Sequence, residues 1–142
     1  MPDIAMTNVF RWLPEYAVGV AEIDLEHQSL FLLAERLNAA TRSGTNEEVL
    51  EGILNELVEY TWYHFAHEEE LMDRISYPYR LDHRRQHEEL RRTLLAMKER
   101  RARGEPKIPT ELAQLLVDWL KLHTTTSDRR IGSYMRKQGL VS

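Results

Sequence analysis

Apolar side chains recur along this chain at steps of three and four, the spacing of amphipathic helices. His27, Leu30, Phe31, Ala34 and Leu37 make the first stripe and predict a helix from about Asp24, read as its N-cap, to about Thr41, stopped by Ser43-Gly44. Thr45-Asn46-Glu47-Glu48 is a capping-box signature for a second helix. Its stripe runs through Leu50, Ile53, Leu57, Tyr60, His64, Glu68 and Leu71 to about Arg74. After the break at Ser76-Tyr77-Pro78, a third helix over about 80–102 carries His83, His87, Leu90, Leu94 and Met97. Gly104 to Pro109 connects it to a fourth, about Thr110–Thr126, which presents Leu112, Leu116, Trp119 and His123. Ile131-Gly132-Ser133-Tyr134 adds a short helical turn.

Residues 1–22 read as an irregular arm, broken by Pro2, Pro14 and Gly19 and anchored by Trp12, Leu13 and Tyr16. No strand pair and no internal repeat stand out. The expectation is all-α: one domain over 1–142, with residues 23–136 forming an antiparallel up-down-up-down four-helix bundle and a C-terminal turn.

The 142 residues are 42% hydrophobic and 30% charged, enough for a packed core and too apolar for wholesale disorder. Cysteine is absent, which excludes disulfides, cysteine-bound iron–sulfur clusters and thiolate zinc sites, so any metal is held by nitrogen and oxygen. There is no basic stretch followed by an apolar leader, and no apolar run of about 18 residues, so a cytoplasmic protein without a membrane span is expected. The net charge of −4 hides an asymmetry: residues 1–73 hold 15 acidic and 3 basic side chains, whereas residues 74–103 hold 10 of the 19 Lys and Arg. With no nucleic-acid motif beside those arginines, an acidic helix against a basic one explains them better than nucleic acid does.

Candidate chemistry changes this picture, because His64 and Glu68 lie on the apolar stripe and not on the charged face. Four residues apart on a helix, they share one face. A buried, unpaired imidazole or carboxylate costs several kcal/mol or shifts to its neutral form, so both need partners. His83 and His87 repeat the four-residue step, while His27, His123 and Asp128 stand alone. In an antiparallel bundle all seven fall at the same end. Seven donors are too many for one tetrahedral zinc and suit two metals that share carboxylates, iron or manganese being the natural choices for an N/O set. His123 and Asp128 are the awkward pair. Five residues apart, they diverge by about 140° on an ideal α-helix, so Asp128 is expected to reach inward from a frayed or bent helix end.

Other chemistries lack their parts. His83 is followed by Arg84-Arg85-Gln86-His87, not by the His-Glu-x-x-His of zinc proteases, and no phosphate loop or nucleophile elbow occurs. His67 is expected to be structural or on the surface, with a proton-carrying role behind the ligands as the alternative. Glu69 and Glu70 are expected on the solvated side, with orientation of a ligand histidine as Glu69's alternative. Met72 and Met97 read as core fill, and Tyr60, Trp62 and Tyr63 as aromatic packing.

Taken together, Trp12, Val18-Gly19-Val20, Ile23-Asp24-x-x-His27, His64-Phe65-x-x-Glu68-Glu69-x-Leu71-Met72, Tyr77-Pro78, His83-x-x-x-His87, Trp119-Leu120-x-x-His123 and Asp128 resemble the hemerythrin family, specifically its single-domain bacterial members. The resemblance spans nearly the whole chain. It implies a non-haem centre of two iron ions with an oxo or hydroxo bridge. By matched position His83, His87 and His123 hold one iron and His27 and His64 the other, Glu68 and Asp128 bridge them, and the two-histidine iron keeps a position open for O2.

Leu30, Phe31, Phe65 and Trp119 are the candidates for an apolar lining that excludes water. The implied function is reversible O2 binding for storage, transport or delivery to an oxygen-consuming enzyme, by a monomer and without catalysis. Two other uses of such a centre fit the same residues: sensing through a partner, and turnover of peroxide, nitric oxide or damaged iron sites. Thr124 departs from the aliphatic residue usual in the family after the fourth-helix histidine, and Thr125 and Thr126 follow it.

Overall fold

The computed structural model describes residues 9–141; Pro2, read as a breaker of the arm, lies outside them. Four long helices dominate: α1 (Ala21–Arg42), α2 (Glu47–Arg74), α3 (Arg80–Ala102) and α4 (Ile108–His123). A π-helical segment, Thr124–Asp128, continues α4 into α5, Arg129–Lys137. No strand occurs among the described residues, and the four-helix bundle expected from the stripes is present.

The helix starts show which local signals prevailed. α1 begins at Ala21, three residues before Asp24. Asp24 is no N-cap; its carboxylate accepts from the backbone N–H of Val18 at 2.8 Å and of Gly19 at 3.3 Å, folding the arm back over the first turn. α2 is capped by Asn46, whose side chain accepts from Val49 N–H at 3.0 Å, so the cap is one residue beyond the Thr45 of the signature. Pro109, assigned from sequence to the connection before the fourth helix, belongs to the helix itself. It sits in the first turn of α4, where a missing N–H costs nothing.

The larger core fills the bundle from its middle to the end formed by the α1–α2 and α3–α4 connections. Leu37, Leu54, Leu57, Leu94, Leu112 and Leu116 are fully buried there. Phe10 joins this core, and Trp12 and Tyr16 pack against it, Tyr16 stacking on Phe31 with ring centroids 5.6 Å apart. A second core, Val18, Val20, Ile23, Leu71, Met72, Tyr77, Ile131 and Met135, closes the opposite end. Here α5 replaces the short turn expected from the sequence. Gly132 brings α5 against the arm so closely that a Cβ would lie 2.0 Å from the Val18 carbonyl oxygen. Between the two cores lies a buried polar layer.

The charge asymmetry resolves as an acidic helix beside a basic one. Across α2 and α3, Arg101 bonds Glu51 at 2.8 Å and Glu47 at 2.7 Å, Arg91 bonds Glu69 at 3.1 Å, and Arg84 pairs with Asp73. Exposed pairs of this kind stabilise weakly. No described helix is long and apolar enough to cross a membrane.

Candidate metal centre

The polar layer contains the seven predicted residues, and the structure brings all of them together. His27 comes from α1, His64 and Glu68 from α2, His83 and His87 from α3, His123 from the end of α4 and Asp128 from the end of the π segment. All are buried, none more than 4% exposed. Two overlapping groups of donor atoms form, each within 4.8 Å: Glu68, His83, His87, His123 and Asp128, and His27, His64, Glu68 and Asp128.

The π segment removes the difficulty of the five-residue step. With hydrogen bonds running from i to i+5, residues five apart return to one face. Arg129 N–H reaches back to the Thr124 carbonyl, and His123 Nε2 lies 3.1 Å from Asp128 Oδ1. The end of α4 is not frayed; one extra residue is wound into a continuous helix. Thr125 and Thr126 support it by donating their hydroxyls to the carbonyls of Lys121 and Leu122, each at 2.7 Å.

The two carboxylates divide their oxygens between the groups. Glu68 Oε1 lies 2.7 Å from His83 Nε2 and 3.1 Å from His87 Nε2, whereas its Oε2 lies 3.5 Å from His64 Nε2 and 4.0 Å from His27 Nε2. Asp128 Oδ1 lies 3.0 Å from His83 Nε2, and its Oδ2 lies 3.1 Å from His27 Nε2.

Nitrogen also faces nitrogen: His27 and His64 approach at 3.1 Å and His83 and His123 at 3.0 Å, each through Nε2. Two nitrogens about 2.1 Å from one ion and at right angles to each other are about 3 Å apart, so these separations are those of neighbours in a coordination shell. Despite such proximity, Glu68 Oε2, His87 Nε2 and both Asp128 oxygens have no well-aligned hydrogen bond to a protein atom. Buried polar atoms that converge without pairing fit a shared cation better than a hydrogen-bond network.

A surrounding layer fixes how the imidazoles present themselves. His64 Nδ1–H donates to Glu26 at 2.7 Å, His87 Nδ1–H to Glu69 at 2.8 Å, and His123 Nδ1–H to Gln86 Oε1 at 2.9 Å. A proton held on Nδ1 leaves the Nε2 lone pair free for a metal. Glu26 and Gln86 were missed from sequence. Glu26 is one residue from His27 and Gln86 one from His87, and nothing in their spacing reveals that they turn toward a different helix. Glu69 fixes the His87 ring through its bond to Nδ1 and is not simply solvated. His67 is half-buried, and its Nδ1 bonds Glu26 at 2.5 Å, directly behind His64. Phe65 stacks on His87 with centroids 3.9 Å apart, and Trp119 on His123 at 4.1 Å, so two of the predicted lining residues wall the three-histidine group. Leu30 and Phe31 are buried on α1.

Charge in the polar layer is arranged around the carboxylates. Burial and the neighbouring Asp128 work against ionised Glu68, but the imidazoles of His83 and His87 close to its Oε1 prevail and bring it down to about 2. Asp128 is likewise held well below the usual carboxylate range, its burial outweighed by His123, His27 and His83. Burial opposes the His83 imidazolium, yet Asp128 and Glu68 push it up to about 10, and His27 and His87 are raised for the same kind of reason. His123 differs. Burial prevails there over the pull of Asp128 and lowers it, which favours the neutral imidazole.

A surface cleft of about 1050 Å³ lies at the far end between the α1–α2 and α3–α4 connections and is lined by none of the seven residues. Size alone would mislead here.

The sequence profile of the Hemerythrin HHE cation binding domain matches residues 18–134. The chain belongs to the hemerythrin family. Among hemerythrin relatives, a bacteriohemerythrin of Stenotrophomonas maltophilia is 33% identical over 118 residues, covering 83% of this chain and 76% of its own. One of Pseudomonas aeruginosa is 31% identical over 117 residues, covering 82% and 75%. One of Clostridium acetobutylicum is 26% identical over 125 residues, covering 85% and 97%. The matched span runs from the arm through α5 and includes every residue of the hemerythrin-like cluster.

Proposed function

We propose that this hemerythrin domain, acting as a single unit over residues 1–142, binds O2 reversibly at a di-iron centre for storage, transport or delivery. His83, His87 and His123 would hold one iron, His27 and His64 the other, and Glu68 and Asp128 would bridge them beside a solvent-derived oxo or hydroxo group. Two ferrous ions so held would supply reversible binding of O2, each contributing one electron. The observation that carries this assignment is the division of both carboxylates: one oxygen of each faces the three-histidine group and the other faces the two-histidine group.

The protein's own part is to set and shield the donors. Glu26, Glu69 and Gln86 hold protons on Nδ1 of His64, His87 and His123, keeping Nε2 as the ligating atom. Phe65 and Trp119 keep water from the imidazole faces they cover, which favours carriage over loss of electrons to solvent. A monomer in the cytoplasm that hands O2 to an oxygen-consuming enzyme completes the proposal.

The test is reconstitution with Fe(II) without oxygen, then cycles of air and argon. A visible charge-transfer band that comes with air and leaves under argon is expected over several cycles. Permanent conversion to a ferric spectrum on first exposure would contradict carriage and favour turnover.

A further inference from the structure

Three consecutive threonines occupy the π segment, and they are not equivalent. Thr125 and Thr126 satisfy their hydroxyls on the carbonyls four residues back. Thr124 does not. It is 1% exposed, and its Oγ1 has no hydrogen-bond partner among the protein atoms. A buried hydroxyl without a partner is costly, and this one stands one residue after His123 and four before Asp128.

Its direction follows from the two stripes that α4 buries. Leu112, Leu116, Trp119 and His123 face α3, since Trp119 lies 6.3 Å from the His87 ring and His123 Nε2 3.0 Å from His83 Nε2. Ala113, Val117, Leu120 and Thr124 form the other stripe, none more than 1% exposed, turned to α1, the other helix packed closely on α4. α1 brings His27, which belongs to the group with four donor residues, whereas the group with three histidines has five. A six-coordinate ion therefore has more room for an outside ligand on the side of α1.

We propose that the Thr124 hydroxyl is a hydrogen-bond donor to a small acceptor ligand, O2 or a small anion, taken up on the two-histidine side of the centre. The inference rests on the di-iron assignment above and adds to it a ligand contact that an aliphatic side chain at this position does not make. The hydroxyl that pairs with nothing in the protein pairs with the guest.

Azide binding to the iron-loaded, oxidised protein tests this, followed by optical titration in wild type, Thr124→Val, Thr124→Ser and Thr124→Ala. With iron content equal in all four, Val and Ala are expected to weaken azide roughly 5- to 10-fold, and Ser to stay close to wild type. Azide bound equally well by Val and by wild type would overturn the proposal, as would a Ser variant as weak as Ala. Failure of wild type to take up iron, seen by metal analysis before azide is added, would instead remove the di-iron assignment and this inference with it.

Discussion

At the scale of single residues, the polar layer is a set of buried groups whose charges offset one another. Glu68, brought down to about 2, contributes stability above its unfolded value of 4.5 and loses it as pH falls toward about 2. His83, pushed up to about 10, works in the opposite sense. Its contribution is whole below its unfolded value of 6.5 and drains away as pH rises through about 10, and His27 and His87 act in the same direction. The metal-free protein is therefore expected to lose melting temperature steadily from about pH 7 to about pH 10. The metal-loaded protein should not, because its imidazoles are already neutral ligands. Thermal melts of both forms across that range check this. A metal-free melting temperature that stays flat would show that His83 is not an imidazolium. The seven residues were legible because polar groups on an apolar stripe have to be explained. Glu26 and Gln86 were not, since on sequence alone each sits among charged surface residues.

At the scale of elements, the π segment decides whether Asp128 belongs to the site. It winds five residues into the space of about one turn, so Asp128 stands beneath His123. Deleting the exposed Thr126 would leave the aspartate four residues from His123, a spacing that an ordinary α-helix also places on one face. That variant is expected to keep both metal equivalents. Inserting one alanine after Thr126 turns the aspartate away by about 100° and is expected to cost at least one equivalent with helix content unchanged. Metal analysis beside circular dichroism checks both, and an insertion variant that still holds two would show that Asp128 is dispensable. From sequence the five-residue step looked like a defect at a helix end. Propensity gives no warning of a π turn, and the threonine hydroxyls that sustain it act on carbonyls rather than on the apolar pattern.

At the scale of the whole molecule, the bundle places a dry wall on one side of the polar layer and a lid on the other. The larger core holds the four helices in register, and the arm with α5 closes the end where the seven polar residues meet. The bundle was legible because each helix carries apolar residues at steps of three and four, as Leu30, Ala34 and Leu37 do on α1 and Leu90, Leu94 and Met97 on α3, all of them buried. The lid was less so. Val18, Val20, Ile131 and Met135 are too few and too scattered to show a periodicity, and the contact that seats α5 depends on the side chain Gly132 lacks. Everything proposed for this protein requires that the one layer hold two ions that share Glu68 and Asp128. Anaerobic titration of the metal-free protein with Fe(II) measures this most directly. Saturation at two equivalents per chain in wild type, falling to one or fewer when Glu68 is replaced by alanine, is the predicted result; saturation of wild type at a single equivalent would contradict it.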